Sequence, residues 1–151
     1  MSLTVGQSAP EFSLLDQDGN SVTLAALRVR GPVVVYFYPK DETPGCTAEA
    51  CSFRDHYAAF TDAGAQVVGI SSDTVDSHKA FAEHHRLPFV LLSDPGGQVR
   101  KRFGVPKTLG LLDGRVTYVI DRGGVVRHVF SSQLRAKRHI QEALAVVQSL
   151  R

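Results

Sequence analysis

Residues 31–51 of the chain read Gly31-Pro-Val-Val-Val-Tyr-Phe-Tyr-Pro-Lys-Asp-Glu-Thr-Pro-Gly-Cys-Thr-Ala-Glu-Ala-Cys51. The run of β-branched and aromatic residues at 33–38 has proline on both sides, which is typical of a buried strand. Thr43 and Pro44 then mark a helix start, because threonine is a frequent N-cap and proline is favoured at the first helical position. This stretch therefore predicts a buried strand followed by a helix that carries both cysteines of the chain.

Helical and strand patterns alternate through the rest of the sequence. Apolar spacing predicts helices at 43–64 and 76–86, a short helix through Phe103, and a C-terminal helix whose apolar face holds Ile140, Ala143, Leu144, Val147 and Leu150. Strands are predicted at 66–71, 89–92, 116–120 and 125–130, and a small hairpin before residue 30. This order predicts one α/β domain over residues 1–151, with a thioredoxin-like fold, a mixed central sheet flanked by helices and an N-terminal hairpin extension.

The composition is that of an ordinary globular domain. The 151 residues include 17 Lys or Arg and 15 Asp or Glu, a net charge of +2, and 43% are hydrophobic. The longest apolar run near the middle is far shorter than the ~20 residues that cross a bilayer, so no membrane protein is expected. The small net charge predicts no nucleic-acid partner, and two basic groups are interpreted as solvated helix faces. They are Arg100-Lys101-Arg102, and Arg135 with Lys137 and Arg138.

The first residues show no charged leader followed by an apolar run, so the prediction is a reducing, cytoplasmic location rather than secretion. Two cysteines are too few for a disulfide scaffold, and a domain of this length can bury a sufficient core without one. The question is therefore what chemistry the two thiols serve.

Cys46 falls in the first turn of the predicted helix, beside backbone N–H groups that lack a helical partner. Those donors favour an anion, and the thiolate is the reactive form of cysteine. A helix N-terminus contributes only ~0.3–1 kcal/mol, whereas a shift of one pKa unit takes ~1.4 kcal/mol. A fixed cation is therefore expected beside Cys46, and Arg115, just before the strand at 116–120, is the best placed in the sequence.

Cys51 follows Cys46 by five residues. In an intact α-helix this offset gives about 140° of rotation and about 7.5 Å of rise, so the two Cα atoms lie roughly 8–9 Å apart. A disulfide needs about 4.4–6.8 Å. A Cys46–Cys51 bridge would thus require the first helical turn to unwind, which Gly45 makes less costly.

Plainer interpretations stay open at this point. A free cysteine is often a small core residue, and Cys51 fits that role as well as a reactive one. Neither a metal site nor a cofactor is expected, since the chain has no Cys-x-x-Cys and its histidines lack ligand spacing with the thiols. His78, His84 and His85 are interpreted as part of a helix surface.

The segment Pro39-x-x-x-Thr43-x-x-Cys46 matches the active-site signature of the peroxiredoxins. With Cys51 five residues later, the chain resembles the peroxiredoxin Q subfamily, also called bacterioferritin comigratory protein. The resemblance continues at residues 6–12, 53–55, 93–95 and 115–121, and so extends over nearly the whole chain.

This resemblance implies an atypical two-cysteine, thiol-dependent peroxidase that reduces hydrogen peroxide and organic hydroperoxides. Cys46 would be the peroxidatic nucleophile, which becomes a sulfenic acid. Cys51 would be the resolving cysteine, which condenses with that sulfenic acid to an intramolecular disulfide. A thioredoxin or glutaredoxin-type partner would then reduce the disulfide, and the enzyme would be a monomer without a cofactor.

The other signature residues take supporting roles by the same resemblance. Thr43 and Arg115 would bind the peroxide and stabilise charge on its oxygens, helped by backbone N–H groups at the helix start, including that of Gly45. Pro39 would shield the thiolate and the sulfenic acid from solvent, and Glu49 would anchor the site by hydrogen bonding.

Two other functions use the same residues. The first is a non-enzymatic redox sensor in which the Cys46–Cys51 switch exposes a partner surface. The second, a thiol–disulfide oxidoreductase, is disfavoured because the two cysteines are not a Cys-x-x-Cys pair.

Overall fold

The computed structural model describes residues 3–105, 107–108, 112–133 and 135–150. Its elements are, in chain order, β1 (Ser13–Asp16), β2 (Ser21–Thr23), α1 (Leu24–Arg28), β3 (Val33–Phe37), α2 (Pro44–Asp55), α3 (Tyr57–Asp62), β4 (Gln66–Ser71), α4 (Val75–His85), β5 (Val90–Ser93), a 3₁₀ turn (Pro95–Gly97), α5 (Gln98–Phe103), β6 (Lys107–Thr108), β7 (Leu112–Asp113), β8 (Val116–Ile120), β9 (Val126–Ser131) and α6 (Ala136–Ser149).

Seven of the strands form a mixed sheet in the order β2-β1-β5-β4-β3-β8-β9. β3 pairs in parallel with β4, and β4 with β5, whereas β3–β8 and β8–β9 are antiparallel. The N-terminal hairpin β1–β2 joins the same sheet because β1 pairs antiparallel with β5. The predicted α/β class, mixed sheet and hairpin extension are therefore confirmed.

Alternate residues of β3 point into two separate cores, as expected for a strand whose side chains alternate between faces. Val34 and Tyr36 belong to a cluster that includes Phe53 of α2 and Phe81 of α4. Val33, Val35 and Phe37 belong to a second cluster, which is closed by side chains of α1 and α5. The sheet is thus a central layer with helices on both faces, and β3 is an interior strand between β4 and β8.

The helix predicted at 43–64 is two helices, α2 and α3, separated at His56. The backbone of His56 departs from helical geometry, with φ −104° and ψ 8°. Its N–H and its ring Nδ1–H both donate to the carbonyl of Ser52, at 3.1 and 2.9 Å. A side chain that bonds one of the last carbonyls in this way stabilises a helix end, and hydrophobic periodicity does not reveal it.

The amphipathic C-terminal helix is confirmed as α6. Ile140, Ala143 and Val147 are buried, and Leu144 and Leu150 are partly buried against the same cluster. Neither α6 nor any other helix within the described ranges has the length and apolar character needed to cross a membrane.

Candidate active site

The antiparallel register of β3 and β8 brings two distant parts of the sequence together. Phe37, the last residue of β3, lies opposite Val116, the first residue of β8. Arg115 therefore lies beside the end of β3, where the chain turns towards α2. The side chain of Arg115 reaches the first turn of that helix.

Cys46 occupies this first turn and is only 1% exposed. Thr43 is the N-cap of α2 and Pro44 its first residue, as predicted. Arg115 Nη2 donates a hydrogen bond to Cys46 Sγ at 3.2 Å. The helix N-terminus and the guanidinium both stabilise negative charge on the sulfur.

Gly45 permits this approach. A Cβ atom at residue 45 would lie 3.0 Å from Arg115 Nη2, closer than side chains normally pack. The missing side chain thus leaves room for the guanidinium against the helix start. This is a steric requirement, since residue 45 is not among the residues with positive φ.

Glu49 fixes the other side of the same guanidinium. Arg115 Nη1 donates to Glu49 Oε1 at 2.7 Å, and both side chains are buried. Burial raises the pKa of Glu49 to about 7, although the charge of Arg115 and its hydrogen bond act in the opposite direction. Burial lowers the pKa of Arg115, but Glu49 and Cys46 outweigh it and leave that pKa raised. Arg115 therefore remains a cation.

His139 of α6 lies behind Glu49. Its Nδ1 is 3.6 Å from Glu49 Oε2, too far for a hydrogen bond. Its Nε2 contacts the carbonyl of Ser132 at 2.8 Å, which assigns the proton to Nε2, so Nδ1 accepts from the hydroxyl of Thr117 at 2.7 Å. Burial lowers the pKa of His139 to about 4, and the ring is neutral at pH 7.

A buried network holds the loop between β3 and α2. The hydroxyl of Tyr38 donates to Asp41 Oδ1, and Asp41 Oδ2 lies 2.7 Å from His78 Nδ1 and accepts from Ser77 Oγ at 2.8 Å. The backbone N–H of Asp41 donates to Asp73 at 2.9 Å.

The interpretation of His78 as part of a helix surface is wrong. Its ring is fully buried because it lies on the inner face of α4. His84 is exposed, as predicted, and His85 is partly buried.

Arg100 also departs from the prediction. Lys101 and Arg102 are exposed as expected, and so are Arg135, Lys137 and Arg138 at the other basic group. Arg100, by contrast, is 4% exposed and lies 5.5 Å from the ring centre of Phe37. It donates to the carbonyls of Gly114 and Tyr38, both at 2.7 Å. These carbonyls belong to the residues just before Arg115 and Pro39.

The hydrogen bonds of the described residues do not join Thr43, Pro39 or Cys51 to the Cys46 sulfur. Thr43 Oγ1 donates to the carbonyl of Lys40 at 2.9 Å instead of capping the helix. Pro39 is partly exposed at the end of β3. Cys51 is a free, partly buried thiol of the same intact helix, and it lines a surface pocket of about 510 Å³ with residues of α6.

The comparison with known proteins decides the family, since the model of the AhpC/TSA family matches residues 5–129. The chain belongs to the AhpC/TSA family. The chloroplastic peroxiredoxin Q of Sedum lineare is 55% identical over 150 residues, which is 99% of this chain and 80% of that protein. The chloroplastic peroxiredoxin Q of Populus jackii is 56% identical over 146 residues, 96% of this chain and 68% of that protein.

Solved structures agree. The peroxidoxin BcpB of Mycobacterium tuberculosis superposes with a TM-score of 0.92 at 42% identity, covering 99% of both chains. The peroxiredoxin Q of Xanthomonas campestris gives 0.86 at 29% identity, covering 97% of this chain and 96% of that one. The thioredoxin-like fold is confirmed. This chain is a peroxiredoxin, an atypical two-cysteine thiol peroxidase of the Q type, which takes a peroxide as substrate and a thiol as reductant.

The predicted cytoplasmic location is wrong, because these curated relatives are named as chloroplastic proteins. The prediction depended on the N-terminal residues and on reduced thiols. Free thiols are compatible with any compartment that keeps them reduced, so cysteine content cannot separate the cytosol from an organelle.

Proposed function

We propose that Cys46 is the peroxidatic nucleophile of this peroxiredoxin. The observation that carries this role is the 3.2 Å contact between Arg115 Nη2 and the buried Cys46 sulfur at the start of α2. The thiolate attacks one peroxide oxygen, the O–O bond breaks and an S–O bond forms. The leaving oxygen takes a proton and departs as water or an alcohol. Sulfur is oxidised by two electrons to the sulfenic acid, and the peroxide is reduced by two.

The peroxide binds between the first turn of α2 and Arg115. Arg115 Nε is buried and has no hydrogen-bond partner among the described residues, so its N–H is available to a peroxide oxygen. The Gly45 N–H lies in the first helical turn, where backbone donors lack helical partners. The Thr43 hydroxyl already donates to Lys40, so its lone pairs accept from the peroxide O–H. Pro39, beside them, limits the access of water.

We propose that Cys51 resolves the sulfenic acid. The Cys51 thiolate attacks the Cys46 sulfur, and the hydroxyl group leaves with a proton as water. Both cysteines lie in the uninterrupted helix α2, which holds them farther apart than a disulfide allows, so α2 must open at its N-terminal end. A dithiol of the thioredoxin or glutaredoxin class then reduces the disulfide and is itself oxidised.

Other features of the proposal concern substrate and assembly. Hydrogen peroxide and organic hydroperoxides share the O–O bond that Cys46 cleaves, and both are proposed substrates. The chain's own helices cover both faces of the sheet. This supports a single domain over residues 1–151 that acts as a monomer.

The test is a peroxide-consumption assay with a thioredoxin system, using wild type, Cys46→Ser and Cys51→Ser. Consumption is expected to vanish in Cys46→Ser. After one equivalent of peroxide, peptide mass spectrometry of wild type should find Cys46 joined to Cys51, whereas recovery of sulfenic acid alone would exclude resolution by Cys51. Stoichiometric oxidation of wild type without cycling would favour the redox sensor.

A further inference from the structure

Three metal-ligating side chains meet outside the peroxidatic site. Glu42 lies in the loop before α2, and His84 and His85 are the last two residues of α4. Glu42 Oε2 lies 2.9 Å from His84 Nδ1, and Glu42 Oε1 lies 2.8 Å from His85 Nε2. One ligand atom from each residue lies within 4.8 Å of the others. Two imidazoles thus share one carboxylate.

The backbone on both sides of this Glu42–His84–His85 cluster is unusual. Within the described ranges, the non-glycine residues with positive φ are Glu42, at 62°, and Arg86, at 52°. Arg86 ends α4 directly after the two histidines. Such conformations cost of order 1–3 kcal/mol each and persist where other contacts compensate. Arg54 of α2 adds one such contact, since its Nη1 donates to the carbonyl of His85 at 2.8 Å.

We propose that Glu42, His84 and His85 form a binding site for a first-row transition-metal dication such as Zn²⁺. Two imidazole nitrogens and one carboxylate oxygen are a donor set that Zn²⁺ favours, with water completing the coordination. Tetrahedral ligands at Zn²⁺ distances lie roughly 3.3–3.4 Å apart, so small side-chain rotations suffice. Each histidine binds the metal as a neutral imidazole. The proton between its nitrogen and the carboxylate therefore moves to the other ring nitrogen, or leaves to solvent if the ring starts as an imidazolium, and the freed lone pair faces the metal.

Solvent can reach this cluster, because the side chain of His84 is 67% exposed and that of Glu42 is 46% exposed. The second group of possible ligands, Asp41, Asp73 and His78, differs in this respect. Its oxygens already accept from Tyr38, Ser77, Ser71 and the backbone of Asp41. That group is a satisfied buried network, and a metal there would have to displace several hydrogen bonds.

The test is a Co²⁺ titration of the full-length reduced protein, followed by its visible spectrum, with Zn²⁺ competition as the second readout. Co²⁺ held by nitrogen and oxygen gives visible d–d bands, whereas thiolate ligation adds an intense near-ultraviolet charge-transfer band, so binding at Cys46 or Cys51 is separately visible. His84→Ala and Glu42→Gln are each expected to weaken binding at least tenfold. Affinity should also fall as the pH is lowered, because protons compete for the imidazoles.

Matched controls share the chemistry but lie outside the cluster. His56→Ala removes another exposed imidazole, and Glu83→Gln makes the same charge change beside His84 on α4; both should bind like wild type. Equal affinity of wild type, Glu42→Gln and His84→Ala would overturn the proposal, as would purely thiolate-type spectra or no binding up to millimolar metal. None of these readouts depends on peroxidase activity.

Discussion

Arg100 Nη1 donates a 2.7 Å hydrogen bond to the carbonyl of Gly114, the residue before Arg115. Through its other terminal nitrogen, the same guanidinium holds the carbonyl of Tyr38, the residue before Pro39. One buried side chain thus fixes the backbone next to Arg115, which bonds Cys46 Sγ, and the backbone that leads into the loop before α2. A planar guanidinium can span two carbonyls in this way, whereas a single ammonium group is a poor replacement.

Arg100→Ala is therefore expected to destabilise the fold and to slow the reaction with peroxide. Each buried carbonyl left without its donor costs about 1–3 kcal/mol, and the Arg115 side chain loses its fixed position. Urea unfolding measures the first effect and the second-order rate constant with peroxide the second. Arg102→Ala, on the exposed side of the same helix, is the control. Equal stability and rate in the two variants would contradict a positioning role for Arg100.

Arg115→Lys tests the guanidinium itself. Lysine keeps the positive charge but cannot bond Glu49 Oε1 and Cys46 Sγ from one rigid fork. Loss of a preorganised donor of this kind typically lowers a rate about 10²–10³-fold, and we expect a fall of that order in the rate constant with peroxide. Arg127→Lys, at an exposed ion pair with Asp121, should react like wild type. A rate within twofold of wild type would remove Arg115 from the reaction.

Glu49→Gln should change how stability depends on pH. Burial raises the pKa of Glu49 from 4.5 to about 7, so the folded protein keeps this proton over a range in which the unfolded chain has lost it. The stability contributed by Glu49 is therefore complete below about pH 4.5 and is lost as the pH rises towards 7. Glutamine does not ionise, so the variant should gain stability relative to wild type between these limits.

Unfolding free energies in urea across this pH range measure the difference between wild type and Glu49→Gln. His139, whose pKa is lowered, contributes a slope of the opposite sign, but it is present in both proteins. Glu83→Gln, an exposed change of the same charge, should give a difference that hardly varies with pH. A constant difference for Glu49→Gln as well would show that its carboxyl is ionised in the folded state throughout.

Oxidation should unfold the beginning of α2. In the reduced protein this turn is held by bonds such as that from the Thr47 N–H to the Thr43 carbonyl, 2.8 Å long. A Cys46–Cys51 disulfide is incompatible with the helix, so hydrogen exchange at residues 44–51 should accelerate on oxidation while α6 keeps its protection. Cys51→Ser treated with peroxide should retain protection in α2. A disulfide that forms without loss of protection would contradict the opening.

The sequence predicts those parts of the site that follow local rules. The apolar run of β3 and the Thr-Pro start of α2 place Cys46, and strand order alone suggests Arg115. The buried polar residues have no such periodic signal. Arg100 bonds a carbonyl 62 residues away in sequence, and Asp41 a serine 36 residues away, so only the tertiary structure reveals their partners. The burial of His139 could have been predicted from the sequence, because this residue lies one turn before Ala143 on the apolar face of α6.

The pairing of Phe37 with Val116 couples the position of Arg115 to folding. Side chains alternate between the two faces of a strand, so a slip of β8 by one residue would turn all of its buried side chains towards the wrong core. The same slip would carry Arg115 about 3.3 Å along the strand, away from the sulfur. A misaligned cation therefore cannot coexist with two well-packed cores. Selection for a stable sheet is, in this protein, also selection for the distance between the Arg115 guanidinium and the Cys46 sulfur.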